Sequence, residues 1–409
     1  MPRFEPFAGL RYDLDQVALA DVTAPPYDVI DDDDRAVLAA RHRFNAVHID
    51  LPVATDGTDR YQVACRLLGE WQEAGVLVAD PVPAFYGYRM AYTDDHGRRR
   101  RTTGVIGALE LSPPGESGVL PHEHTTPKAH SDRLDMLRAC RANLSAVWGL
   151  SLTAGLTALC EPPGAGGSGD PLVAGWTDDD GVEHALWVLT DPERLAAITA
   201  AVAASPVVIA DGHHRYATSL VYRDERRQAE GRHAGRVGAA GATLTYVVEL
   251  AEEELTVRPI HRLLGGLPDG FDLVGALAAY FDAGPSGELA AGDVLARMSD
   301  GGALAAVAAD GTYRLLRPRP EALRGIDDLD SSRLAVALAT LPEHTVSYQH
   351  GVGHVARRVA DGRAQHGVLL RPATVAQIAA NAHEGRRMPP KTTFFHPKPK
   401  TGLVFRLLA

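Results

Sequence analysis

Five consecutive residues, Asp211-Gly212-His213-His214-Arg215, bring together a carboxylate, two imidazoles and a guanidinium. They follow an apolar strand-like run, VVIA, and precede the helical pattern RYATSL, so a strand ends at Asp211 and a helix opens at His213. Gly212 allows the sharp turn between them. The first N–H groups of a helix lack intrahelical acceptors and, with the dipole, form an anion site. Arg215 can add a bidentate contact to a phosphate, and His213 and His214 can donate hydrogen bonds or shuttle protons. Asp211 can also be no more than the helix cap. Capping accounts for one residue of the five and not for the crowding of three bulky polar side chains.

Three further stretches carry chemistry-capable groups. Pro121–Lys128 (PHEHTTPK) runs on to Asp132 and Arg133. His122 and His124 would share one side of an extended strand, as a metal pair needs. Glu123 with a neighbouring His suits acid/base work instead, and a polar loop ahead of a helix remains a third reading. Met388–Gly402 (MPPKTTFFHPKPKTG) holds Lys391, Thr392, Lys398 and Lys400 on a backbone pre-set by four prolines. Of 41 basic residues only four are lysine, and three of these lie within this stretch; the fourth is Lys128. A compact ammonium is not interchangeable with a guanidinium, so this segment reads as an ordered cationic strap near an anionic ligand. Ala24–Ile30 (APPYDVI) presents Tyr27 and Asp28 ahead of a helix; Asp28 can bind a metal or a hydroxyl, or make a local turn. Ile260-His261-Arg262 is a weaker candidate that reads equally as the polar entry to a helix. Gly351-x-Gly353, between His350 and His354, reads as a turn into a helix.

The elements that must position these groups are mixed. Helical spacing covers 58–75, 131–143, 192–205 and 213–230. AFYGYRMAY and RTTGVIGALEL read as a long hairpin, and TLTYVVEL with ELTVRPI as another. The acidic run 31–34 opens a helix, where the macrodipole favours carboxylates. The stretch 161–171 is a surface loop. After GGLPDG near 265, helices are expected at 271–281, 287–298, 331–341, 353–360 and 374–385, with strands at 303–309 and 313–317 and a closing strand GLVFRLL. The expected architecture is α+β, a mixed α/β with hairpins, in two regions, 1–265 and 266–409.

Composition narrows the function. The 409 residues carry a net charge of −11, which disfavours a broadly basic nucleic-acid surface. No apolar run reaches the ~20 residues of a membrane span, and the N-terminus lacks a signal-peptide pattern. Three scattered cysteines give neither a disulfide framework nor a zinc knuckle. A cytoplasmic protein acting on a small molecule or nucleotide is expected, with no membrane and no nucleic acid; oligomeric state is open.

The segments APPYDVI, PHEHTTPKAHSDRLDMLRACRANLS, ADGHHRYATSLVYR, RPIHR and MPPKTTFFHPKPKTGLVF, in this order, resemble the bacterial and archaeal family catalogued as domain of unknown function 1015. The HPKPKTG stretch and the 161–171 loop depart slightly from that pattern. The GHHR box alone is similar to the phosphate-binding box of the ParB/sulfiredoxin-like superfamily, which includes an ADP-dependent free-serine kinase. The sulfiredoxin cysteine is replaced by His213, so sulfinic-acid chemistry is not expected. This second resemblance implies a nucleotide-box core plus a C-terminal α/β region, with ATP or ADP and Mg²⁺ as cofactors. It implies a phosphotransferase acting on a small hydroxy compound such as serine. Asp28, Glu123, His124, His213 and His214 are then the candidate catalytic groups. Lys128, Asp211, Gly212, Arg215, Lys391, Thr392 and Lys398 are the candidate cofactor ligands, and metal ligands stay undetermined. A metal-dependent hydrolase built on the His-rich motifs and a non-catalytic nucleotide-responsive regulator are the alternatives.

Overall fold

Apolar residues at strand period build the larger part of the molecule around one mixed sheet. The computed structural model describes every residue except 56, 95–96, 114–115, 117, 122–129, 163–171, 231–237, 292 and 409. It divides into two compact units, Met1–Thr256 together with Pro397–Ala409, and Val257–His396. The architecture is mixed α/β.

In the first unit the sheet strands are Phe4–Glu5 (β1), Phe85–Thr93 (β2), Arg99–Glu110 (β3), Val119–Pro121 (β4), Val147–Ser151 (β5), Leu172–Thr177 (β6), Glu183–Leu189 (β7), Val207–Asp211 (β8) and Ala242–Glu249 (β9). Their order is β4-β8-β5-β9-β3-β2-β7-β6, with β1 beside β3. β8 is parallel to β4 and β9 to β5, and the remaining pairings are antiparallel. The β2–β3 hairpin forms as expected. β9 does not make the second expected hairpin: it pairs with β3 and β5. The reason is burial. Six of its eight residues are buried, which suits a central strand and not the rim position of an isolated hairpin.

The helices of this unit that matter below are Asp32–Arg41 (α1), Arg60–Glu73 (α2), His130–Cys140 (α3), Pro192–Ala203 (α4) and His213–Glu230 (α5). The acidic run does open α1: the Asp34 N–H donates to Asp31 at 2.8 Å in a capping box. Pro192 sits in the first turn of α4 with Asp191 as cap. Phe4, Trp187, Val207, Ile209, Tyr216 and Val247 form the core that docks α4 and α5 on the sheet.

The second unit has an antiparallel sheet of His261–Gly265 (β10), Phe281–Glu288 (β11), Leu304–Val307 (β12), Thr312–Pro318 (β13), Thr345–Gln349 (β14) and His366–Leu369 (β15), ordered β11-β13-β12-β15-β10-β14. Alternate residues fall into two separate cores. Leu264, Leu304, Leu316 and Val368 face one, and Leu263, Ala305, Leu315 and Leu369 the other, so the sheet is covered on both faces. Its helices include Val294–Gly301 (α6), Asp330–Leu338 (α7), Val352–Ala360 (α8) and Val375–His383 (α9).

Here the expectations need more correction. The helix expected at 271–281 shortens to Leu273–Ala276 and a 3-10 turn, and the one at 287–298 begins only at Val294. Gly284, Pro285 and Gly287 intervene and go into β11, where a Cβ on Gly287 would meet the Tyr313 hydroxyl at 2.6 Å. Ile260-His261-Arg262 leads into a strand, not a helix. The break near 265 is a turn inside the second unit, and the unit boundary lies at 256. The closing segment returns to the first unit: Leu10 and Phe405 exchange backbone hydrogen bonds of 2.9 and 2.8 Å, and Arg406–Leu407 pairs with Ala142–Asn143. Regular strand geometry in GLVFRLL is limited to those two residues. The 161–171 loop falls almost wholly outside the described residues.

Candidate functional site

β8 delivers Asp211 at its end, Gly212 turns the chain with φ +84°, and α5 starts at His213. The Tyr216 N–H donates to the Gly212 carbonyl at 2.9 Å, closing the first helical turn. His213 and His214 lie in that turn, both half-buried. The Arg215 guanidinium folds back over Gly212: a Cβ there would lie 2.9 Å from Arg215 Nε. Arg215 Nη2 donates to Asp211 at 2.9 Å and Nη1 donates to the Ala146 carbonyl. Its Nε is buried and has no hydrogen-bond partner among the described residues.

The other Asp211 oxygen receives Lys398 Nζ at 2.6 Å. Burial works against the Asp211 charge, but Lys398 and then Arg215 outweigh it and hold the carboxyl well below the usual carboxylate range. Burial likewise works against the Arg215 charge, and Asp211 outweighs it, so the guanidinium is raised. A cation four residues on and another from the far end of the chain thus share one half-buried acceptor at a helix start.

Tyr27 stands beside this pair. It opens a short 3-10 turn after Pro26, and its ring lies 4.1 Å from the Arg133 guanidinium carbon and 5.9 Å from that of Arg215. Burial pushes the Tyr27 hydroxyl up. Asp28, next on the turn, is exposed. Arg133 on α3 donates through Nη1 to the Asp50 carbonyl at 3.0 Å and to its carboxylate at 3.1 Å, and pairs with Asp132 at 2.7 Å. Burial pushes the Asp50 carboxyl up despite Arg133. Asp50, Arg133, Arg215 and Thr218 share a small cavity of about 50 Å³ with Asn143 and Ser145. Thr218 Oγ1 is buried there without a partner among the described residues.

The structure therefore gathers Asp28, Asp211, Gly212, His213, His214, Arg215 and Lys398 in the first unit. Lys391 and Thr392 belong to the second unit. Glu123, His124 and Lys128, with His122, lie outside the described residues. Among the described residues no group of three or more His, Cys, Asp or Glu side chains is placed to hold a metal ion. None of the described helices is long and apolar enough to cross a membrane.

Two components escaped the sequence reading. Asp50 sits in the apolar run AVHIDLP, where a lone carboxylate gives no periodic signal. Asp178 and His184 flank the turn between β6 and β7. The His184 Nε2 lies 3.0 Å from Asp178, Lys400 Nζ lies 2.6 Å from the same oxygen, and the Tyr88 hydroxyl lies 2.8 Å from His184 Nδ1. Lys400 was part of the strap, but its partner is visible only in three dimensions.

The sequence profile of the family described as "Protein of unknown function (DUF1015)" matches residues 4–332. The chain belongs to this family. Four of the five ordered motifs fall inside the matched residues; the fifth, 388–405, follows them. No curated protein sequence matches. Among solved structures, a conserved hypothetical protein from Pyrococcus furiosus shares 13% identity, covering 71% of this chain and 92% of its own, with a TM-score of 0.36. A free serine kinase in complex with AMP shares 13% over 70% and 88%, with a TM-score of 0.37. SbnI with a C-terminal truncation, from Staphylococcus aureus, shares 10% over 74% and 87%, also with a TM-score of 0.37. Likenesses this distant carry no argument about activity.

Proposed function

We propose that this protein binds a nucleotide such as ATP or ADP through its phosphates at the Asp211–Arg215 turn and transfers a phosphoryl group to a small hydroxy compound, with serine as the first acceptor to try. The observation that carries this reading is the Asp211 carboxylate shared by Arg215 and Lys398 at the start of an 18-residue helix. Phosphate oxygens can take over both cations, because charge-assisted bonds to them match those to a carboxylate. The helix start adds N–H donors and a favourable dipole. His213 and His214, in the first turn of that helix, can donate to the same anion.

In the transfer, the acceptor oxygen forms a bond to the terminal phosphorus as the bond to the bridging oxygen breaks. ADP leaves when ATP is the donor, and AMP leaves when it is ADP. The acceptor proton passes to a carboxylate, and exposed Asp28 is the described candidate; Glu123 is the other. Mg²⁺ bound with the nucleotide would supply charge neutralisation, and Asp28 has the oxygen chemistry that the ion takes. Lys128 and His124 keep the roles expected from the sequence, whereas Lys391 and Thr392 lie in the second unit and are no part of this reading.

Calorimetry with ATP, ADP, CTP and pyrophosphate, with and without Mg²⁺, is the direct test. Saturable heat that disappears in His214→Ala supports the reading; silence with all four ligands overturns it. Phosphorus NMR with serine then reports transfer. The regulator reading has one observation in its favour. An incoming anion must break the Asp211 bonds to Arg215 and Lys398, which is a rearrangement that a switch can use. Binding without turnover of any acceptor would select it. The metal-dependent hydrolase has no support among the described residues.

A further inference from the structure

The second unit holds a larger polar cavity, of about 290 Å³, that the nucleotide reading does not use. Its wall includes Asp330, Ser331, Arg371, Thr374, Gln377 and Thr392, with Ser299 as an exposed wall residue. Two nine-residue helices, α7 and α9, begin at this wall.

The two helix starts are finished differently. α9 carries a full capping box, Thr374 with Gln377. α7 has Leu329 at its cap position and no side-chain cap. Asp330, in its first turn, is turned to Arg371 instead. It accepts from the Arg371 backbone N–H at 2.9 Å, from Nε at 3.0 Å and from Nη2 at 2.6 Å. Those bonds fix the guanidinium at the cavity wall and leave Nη1 for another acceptor.

Around this Asp330–Arg371 corner the wall is hydroxylic. Thr392 donates to the Pro389 carbonyl at 2.7 Å and its hydroxyl lies 2.8 Å from Ser331 Oγ, so the two hydroxyls are held as a pair. The Asp328 carboxylate is paired with Arg333 at 2.8 Å, yet its side chain stays 75% exposed and able to accept further hydrogen bonds. The cavity is thus asymmetric, with donors at the Arg371 and α7 end and acceptors at Asp328. Its volume lies just under the range of drug-sized pockets, which suits a metabolite rather than a lone ion or a dinucleotide.

We propose that this cavity binds a small hydroxylated phosphate monoester, its phosphate on Arg371 and the start of α7 and its hydroxyls toward Ser331, Thr392 and Asp328. This is a second ligand site, independent of the nucleotide turn. Either can fail without the other.

The test is calorimetry of the full chain with glycerol 3-phosphate. Saturable binding is expected in the wild type and in His214→Ala. Arg371→Gln should weaken it roughly ten- to a hundredfold, as loss of a charge-assisted bond does. Arg371→Gln also disturbs Asp330 and can compromise folding, so Ser299→Trp is the companion variant. Ser299 is an exposed wall residue, so an indole there takes up cavity space while Asp330 and Arg371 themselves stay unaltered. Loss of at least about tenfold in affinity in Ser299→Trp, with an unchanged thermal melt, supports the site. No heat in the wild type overturns it. So does unchanged affinity in Ser299→Trp, or binding that vanishes only in His214→Ala.

Discussion

Two aspartate–arginine pairs, one in each unit, answer the same local problem in opposite ways. In the first unit Asp211 ends a strand and Arg215 sits in the first turn of the helix that follows, with Lys398 as a second cation on the same carboxylate. In the second unit Asp330 sits in the helix and Arg371 follows a strand, and no lysine joins them among the bonds of that pair. The first arrangement leaves about 50 Å³ beside Arg215, and the second about 290 Å³ beside Arg371. In the proposed function the crowded pair gives up its two cations to an incoming phosphate. A roomy pair holds its cation still and leaves the space to a ligand. The first is suited to exchange and the second to docking.

The contrast can be broken by removing one cation from each unit. Arg133→Met leaves the buried Asp50 carboxylate unpaired next to the crowded site, and should cost about 3–5 kcal/mol in chemical denaturation. Arg371→Met should cost clearly less, because the Arg371 backbone N–H still serves Asp330 and water can enter the open cavity. Equal losses would erase the distinction.

Acid should weaken the second unit through His261. This imidazole is buried, accepts from the Leu370 N–H at 3.2 Å, and is pushed down to about 4, first by burial and then by His350 and Arg262. Its folded value lies below its unfolded one, so the unfolded chain binds the extra proton between about pH 6.5 and 4. Stability should fall across that window as pH drops, by about 3 kcal/mol in total. Denaturation of His261→Gln should lack this slope. Asp211 acts in a different range. Its depressed carboxyl contributes stability that is complete above the ordinary aspartate value, near 3.9, and is lost only as pH falls through its folded value. His184, lowered by burial, adds to the first unit a slope of the same sign as that of His261. The variant, not the wild-type profile alone, isolates His261.

Gly212→Ala sharpens the account of the crowded turn. A side chain there must adopt φ +84° and press on Arg215, so about 1–2 kcal/mol should be lost, together with nucleotide heat in calorimetry. The smallest effect is expected from Lys398→Arg. The change keeps the charge, so the melt should hardly move, while nucleotide affinity drops if a compact ammonium is required. Unchanged affinity would return the lysine clustering to chance.

Several parts of the site were legible because their signals are local. The glycine between VVIA and a helical pattern marked the strand-to-helix turn, and the acidic run marked the start of α1. Long apolar alternation marked β2 and β3. The failures share one cause. Whether 281–288 is strand or helix depends on the neighbour that pairs with it, and Gly287 is explained only by Tyr313 lying across it. Asp50, Asp178 and His184 became visible only through Arg133 and Lys400, which approach from distant parts of the chain.

By itself the amino-acid order determined the local turn chemistry, several of the helix starts and the acidic balance of the whole. Tertiary structure alone decided which carboxylates Lys398 and Lys400 meet, that residues 397–409 return to the first unit, and that Thr392 lines a cavity of the second. The physical reason is range. Backbone propensity and capping act over a few residues, whereas ion pairing and burial are set by whatever packing brings within a few ångströms.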